Sequence, residues 1–158
     1  MVWSVIGFSK NHSEKTLPQI MFSDPDWFFW SMSNVDWSKK SRKLQEEIEL
    51  INHRCRNIKI PNNADRSLEI EYLIHPPTKK FGGFSVVPKE RPIHRGSSPA
   101  YRNSKLDLSF PKQFASYDKS GYKHFLDNFK FYIGGNSKLR FTKEYCENFY
   151  SNPDNFEV

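Results

Sequence analysis

Cysteine is scarce: Cys55 and Cys146 stand far apart and in no Cys-x-x-Cys pair. That excludes a disulfide scaffold and a cysteine-rich zinc site, and a reducing compartment, the cytoplasm, is the expected location. Long hydrophobic runs are missing as well. No stretch approaches the roughly 20 apolar residues that a bilayer crossing needs, and the start, Met1 to Lys15, has no basic region leading into an apolar one. Neither a membrane partner nor a secretory signal is expected. Glycine is sparse, and neither Gly82-Gly83 nor Gly134-Gly135 has the lysine and hydroxyl residue that complete a phosphate-cradling loop. Gly-x-Ser-x-Gly is absent too.

The five histidines, His12, His53, His75, His94 and His124, form no His-x-His or His-Glu-x-x-His pattern. No metal and no cofactor are expected. His75 and His94 flank one basic segment, but neither opens the His-x-Ser/Thr signature that a two-histidine phosphoesterase carries twice. Glu69 and Glu71 have no lysine two residues on, so the strand-borne pattern of a metal nuclease fails, and both are expected on the solvent face of an edge strand. No residue is assigned a catalytic role.

Aromatic residues are abundant, with 14 Phe, 7 Tyr and 4 Trp against a hydrophobic share of only 37%. A disordered chain is seldom so aromatic, and aromatic volume can fill the core that aliphatic residues leave short. The 158 residues suit a single domain over residues 1–150 with a frayed tail over 151–158. Met1 to Phe8 reads as a short strand. Thr16 can cap a brief helix with Pro18 in its first turn. Leu44, Ile48, Ile51 and Cys55 recur at spacings of four, three and four, which predicts a helix from about Ser38 to Asn57. Leu68 to Ile74 alternates as a strand, Phe84 to Val87 is its expected hairpin partner, and Leu106 to Phe110 is the expected third strand. Tyr122, Phe125, Leu126 and Phe129 share a helical face that Gly134-Gly135 ends, and Thr142 opens a last helix. The expected fold is α+β: a small antiparallel sheet covered by Phe- and Trp-rich helices.

Charge is concentrated. Lys79, Lys80, Lys89, Arg91, Arg95, Arg102 and Lys105 stand against Glu90 alone, so this stretch carries the whole formal excess of +6. It lies in a Pro/Gly/Ser-rich segment, residues 75–105, whose long connection from His75 to Gly83 is expected to project as a basic finger. Cations so placed can displace counterions from a nucleic acid. A second cationic group, Lys10, His12 and Lys15, sits on a turn leading into a helix, beside Trp27 and Trp30, which are three apart and can offer stacking faces.

Phe8-Ser9-Lys10-Asn11-His12-Ser13-Glu14-Lys15-Thr16-Leu17, followed by Asp24-Pro25-Asp26-Trp27-Phe28-Phe29-Trp30, resembles the F-G-K-H-K-G-K-T-L…D-P-x-[YW]-L-x-W module. That module closes exodeoxyribonuclease X-like proteins and also stands alone in short bacterial and phage proteins. The resemblance covers residues 5–37, less than a quarter of the chain, and Ser9 and Ser13 or Glu14 stand where the module has glycines. It implies association with nucleic acid and carries no catalytic residue, because the module accompanies a separate nuclease domain.

The expected function is therefore that of a small non-catalytic nucleic-acid-binding protein, with DNA favoured over RNA. Lys10, His12, Lys15, Lys79, Lys80, Arg91, Arg95, Arg102 and Lys105 would contact phosphates, and Trp27 and Trp30 would stack. The alternative is a phage or mobile-element protein that binds and inhibits a host nucleic-acid-processing or defence complex, through exposed aromatic and arginine side chains.

Overall fold

In the computed structural model, which describes residues 2–157, most helices begin where a side-chain oxygen accepts an amide of the first turn. Asp24 caps α2 (Pro25–Asn34) through the Trp27 N–H at 3.2 Å. Ser41 caps α3 (Arg42–Cys55) through Leu44, and Thr142 caps α5 (Lys143–Ser151) through Tyr145, both at 3.1 Å. Asp118 caps α4 (Lys119–Tyr132) through Gly121 at 2.9 Å. Each contact satisfies an amide that the helix cannot pair internally. The short α1 (Leu17–Met21) carries Pro18 in its first turn, and the Gln19 side chain accepts from the Thr16 N–H at 2.9 Å.

Three antiparallel strands complete the α+β fold: β1 (Leu68–His75), β2 (Lys80–Pro88) and β3 (Ala100–Asn103), in the order β2-β1-β3. The hairpin between β1 and β2 is tighter than the expected finger. Pairing continues to His75 opposite Lys80, leaving Pro76 to Lys79 as the connection, with Lys79 at φ 56 and its N–H on the His75 carbonyl at 2.7 Å. Gly82 is taken up as a bulge where the register shifts between Leu73 and Ile74; a Cβ there would lie 3.2 Å from the His75 nitrogen. What reads in sequence as a glycine-rich loop is thus the start of a strand.

The third strand is also displaced from its expected place. Residues 100–103 pair with β1, and Leu106 to Phe110 makes only a bridge from Leu106 to Ile58 before a 3-10 turn at Phe110–Gln113. Since β2 and β3 lie on either side of β1, residues 89–99 must cross the sheet between them. They cross its Glu71 face, where the Glu71 carboxylate accepts from the His94 N–H at 3.3 Å. The expectation that Glu69 and Glu71 face solvent on an edge strand is therefore corrected: β1 is central, and Glu71 is 6% exposed.

On the other face of the sheet, Ile70, Tyr72 and Ile74 join Phe81 and Phe84 under α4, whose Phe125 ring lies 5.0 Å from that of Phe84. Asn128 on α4 also accepts the Phe84 N–H at 3.0 Å. One continuous apolar cluster runs from Trp3 to Phe156 and includes the predicted stripe of α3, Leu44, Ile48, Ile51 and Cys55. Burial of each large apolar side chain contributes about 1.5–3 kcal/mol.

Both ends of the described chain are tied down. The strand expected over Met1–Phe8 is reduced to a bridge from Val5 to Thr16, and Met1 lies outside the described residues. The tail expected to fray from Ser151 instead buries Phe156, which bridges to Ile58, while the Glu157 N–H reaches the Asn57 carbonyl at 2.7 Å. Val158 lies outside the described residues. Phe156 anchors the segment because its ring packs 5.6 Å from Tyr150 in the core. No helix among the described residues is long and apolar enough to cross a membrane.

Candidate functional site

The loop before α1 is organised by one hydrogen bond between a buried histidine and a partly exposed aspartate. His12, only 6% exposed, places Nε2 3.0 Å from Asp24 Oδ2 while its ring packs 4.9 Å from Trp27. Asp24 simultaneously caps α2, so a single carboxylate fixes the loop to the helix start. Ser9 takes φ 76, a left-handed conformation that glycine adopts without strain. His12 acts here as a wall and an anchor rather than as a free cation. Lys15, half-buried at the end of the loop, faces a groove that runs between α1–α2 and α4.

That groove encloses about 1030 Å³ and is the place where separate parts of the sequence meet. Lys15 comes from the N-terminal loop, Lys80 from the start of β2, and Lys119, Lys123 and Lys130 from α4. The α4 lysines recur at helical spacing beside the stripe of Tyr122, Phe125 and Phe129 that enters the core, so one helix supplies both the core contact and the groove wall. Lys15, Lys80, Lys119 and Lys123 make no ion pair among the described residues, and Lys130 lies 5.0 Å over the Phe141 ring.

Four aspartates also line the groove, and three are engaged elsewhere. Asp24 holds His12. Asp26, 4% exposed, pairs with Lys112 and accepts the Asp118 N–H at 3.2 Å. Asp118 caps α4, and its carboxylate occupies the space that a Cβ on Gly121 would fill. Asp127 is the groove carboxylate with no ion-pair partner among the described residues. Tyr122 reaches the groove floor, but burial first and Asp26 second hold its phenol far above the usual range, and its hydroxyl donates to the Leu108 carbonyl at 2.9 Å. It is a structural group. The chemistry this lining supports is the binding of an anion by ammonium groups, with Tyr117, 63% exposed, as an aromatic face at the rim.

The residues singled out in the sequence are dispersed. Lys15 and Lys80 enter the groove with His12, whereas Lys10 is exposed outside its lining and Lys79 stands at the hairpin turn. Arg91 and Arg95 lie on the exposed crossover, over the opposite face of the sheet. Arg102 is no free cation: its guanidinium meets Glu71 at 2.6 Å and Glu69 at 3.6 Å, and donates to the Arg91 and Pro92 carbonyls. Lys105 is half-buried on the Asn57 side chain. Trp27 is half-buried against His12, Phe8 and Trp30, and Trp30 is 51% exposed, but neither lines the groove. His75 pairs with Thr78 at the turn, and His94 sits over Glu71, so no shared histidine site forms.

Sequence reasoning missed Lys119, Lys123, Lys130 and Tyr117. Their signal in the sequence is the polar stripe of α4, at spacings of four and seven, which has the form of any solvated helix face. A second cleft of about 1160 Å³ lies between residues 59–66 and α5, with Asn62, Asn148 and Glu144 at its walls; it gathers no comparable set of unpaired cations. Among the described residues, no three His, Cys, Asp or Glu side chains are grouped to hold a metal ion. Compared with family models, curated proteins and solved structures, the chain matches none.

Proposed function

We propose that this protein binds nucleic acid without altering it, and that its groove between α1–α2 and α4 holds the phosphates. The observation that carries the reading is convergence: lysines from the N-terminal loop, the hairpin and α4 face one concave surface with no acidic partner of their own. Ammonium groups left unpaired on a shared surface are available to displace counterions from a phosphate backbone. The likeness of residues 5–37 to the exodeoxyribonuclease X C-terminal module points the same way, since Lys15 lies within it.

The test is fluorescence anisotropy of labelled single- and double-stranded oligonucleotides at low and physiological salt, with a Lys15→Gln, Lys80→Gln, Lys119→Gln, Lys123→Gln variant beside the wild type. Affinity that falls steeply with salt and collapses in the variant supports the reading. No binding at low salt overturns it. Trp30, half-exposed on α2 away from the groove, favours a second reading in which the protein inhibits a nucleic-acid-processing complex by direct contact. In that case Trp30→Ala, and not the groove variant, abolishes association with the partner.

A further inference from the structure

Resting on the nucleic-acid reading, we infer that the ligand of the groove is a single strand, with a base stacked on Tyr117 and phosphates spaced along Lys119, Lys123 and Lys130. Three observations converge on this. First, the cationic surface is concave. Base readout in a duplex uses a helix or ribbon that enters the duplex groove, whereas an open cleft of about 1030 Å³ suits a flexible strand laid into it. Second, the lysines follow a line. From Lys119 to Lys130 the helix advances about 16 Å at its usual rise, which matches roughly five nucleotides of a stacked strand. Lys15 and Lys80 supply cations from the other elements that line the groove.

Third, Tyr117 presents an aromatic face at the rim. It is 63% exposed, makes no ring contact with another aromatic among the described residues, and immediately precedes the residue that caps α4. Exposed aromatic surface is unfavourable in water unless something covers it, and an unpaired base offers a π-face that any sequence supplies. The bases of a duplex are already stacked on one another and have no such face to give. Asp127 stands in the same line, four residues after Lys123, and opposes phosphate at that point; the strand is therefore held on either side of it rather than evenly along the helix.

The experiment measures anisotropy at low salt with three probes of equal length: oligothymidine, the same backbone without bases, and a duplex. Wild type, Tyr117→Ala, Tyr117→Phe and Lys119→Gln/Lys123→Gln proteins are compared, each checked for an unchanged melting temperature. Oligothymidine is expected to bind at least about tenfold more tightly than the other probes. Tyr117→Ala is expected to lose roughly tenfold on oligothymidine and nothing on the abasic strand, and Tyr117→Phe to behave as wild type, since stacking needs the ring and not the hydroxyl. The lysine pair is expected to weaken both strands alike. Duplex binding as tight as oligothymidine binding, or an equal loss on both strands in Tyr117→Ala, overturns the single-strand inference while leaving nucleic-acid binding in place. Failure of all three probes overturns both.

Discussion

The tip of the β1–β2 hairpin and the crossover that follows β2 belong to one basic stretch, and the fold treats their cations in opposite ways. At the tip, Lys80 is exposed on the groove with no carboxylate partner among the described residues. Under the crossover, the Arg102 side chain is 9% exposed and clamped between Glu69 and Glu71 while holding two carbonyls of the crossing chain. The difference teaches that a cation's sign in the sequence says nothing about its availability; the carboxylates opposite it decide. A planar guanidinium with five donors suits the clamp, because one side chain can satisfy two carboxylates and two carbonyls together.

The largest effect should come from breaking the clamp. Arg102→Ala leaves Glu71 buried and unpaired, and a loss of about 3–5 kcal/mol is expected in urea unfolding. Replacing Arg102 and Glu71 together by leucine should recover most of that loss; if it does not, the stability resides in the crossover's backbone contacts. Thiol labelling offers a second readout. Burial pushes the Cys146 thiol up to about 12 and raises that of Cys55, so both should react slowly in the native protein and faster in Arg102→Ala, in proportion to the stability lost.

The groove variant lacking Lys15, Lys80, Lys119 and Lys123 should do the reverse, keeping its stability and losing its binding. The slope of log affinity against log salt is expected to fall by up to about 3, at about 0.7 for each phosphate of a single strand that is no longer neutralised. A slope unchanged from wild type would place the phosphates elsewhere.

A smaller effect sharpens the groove side of the comparison. Gly121→Ala forces the Asp118 carboxylate from its cap at the start of α4, and a loss of about 1 kcal/mol is expected by thermal or urea denaturation, with weaker binding as the Lys119 end of the wall shifts. An unchanged melting curve would show that the cap contributes little.

The smallest effect is expected from the exposed part of the crossover. Lys89→Ser, Arg91→Ser, Arg95→Ser should alter stability by less than about 0.5 kcal/mol and slow association modestly through the loss of long-range attraction. Binding weakened as much as in the groove variant would move the site to the crossover and erase the distinction between the two regions.

Much of the fold was legible because its signals are local. The stripe of Leu44, Ile48, Ile51 and Cys55 needs only helical period, although the helix begins at Arg42 after its Ser41 cap rather than near Ser38, and alternation over Leu68 to Ile74 needs only the pleat. Residues 100–103 were not legible as a strand. Ala100 to Asn103 has little β-branched character, and it pairs because the crossover brings it alongside β1, where Arg102 finds Glu71. The candidate site was half legible for a similar reason: Lys15 and Lys80 stood out as members of basic groups, while Lys119 and Lys123 looked like the ordinary polar face of an amphipathic helix.

By itself, then, the sequence determined the class of the fold, the aromatic make-up of its core and the size of the positive excess, since period, volume and charge are properties of neighbours along the chain. The tertiary structure decided which cations are paired and which are free, and which meet. That pairing depends on contacts such as Arg102 with Glu71, thirty-one residues apart, and on a groove assembled from a loop, a strand end and a helix. Coulomb interactions fall with distance in space, not in sequence, so only the folded chain could sort them.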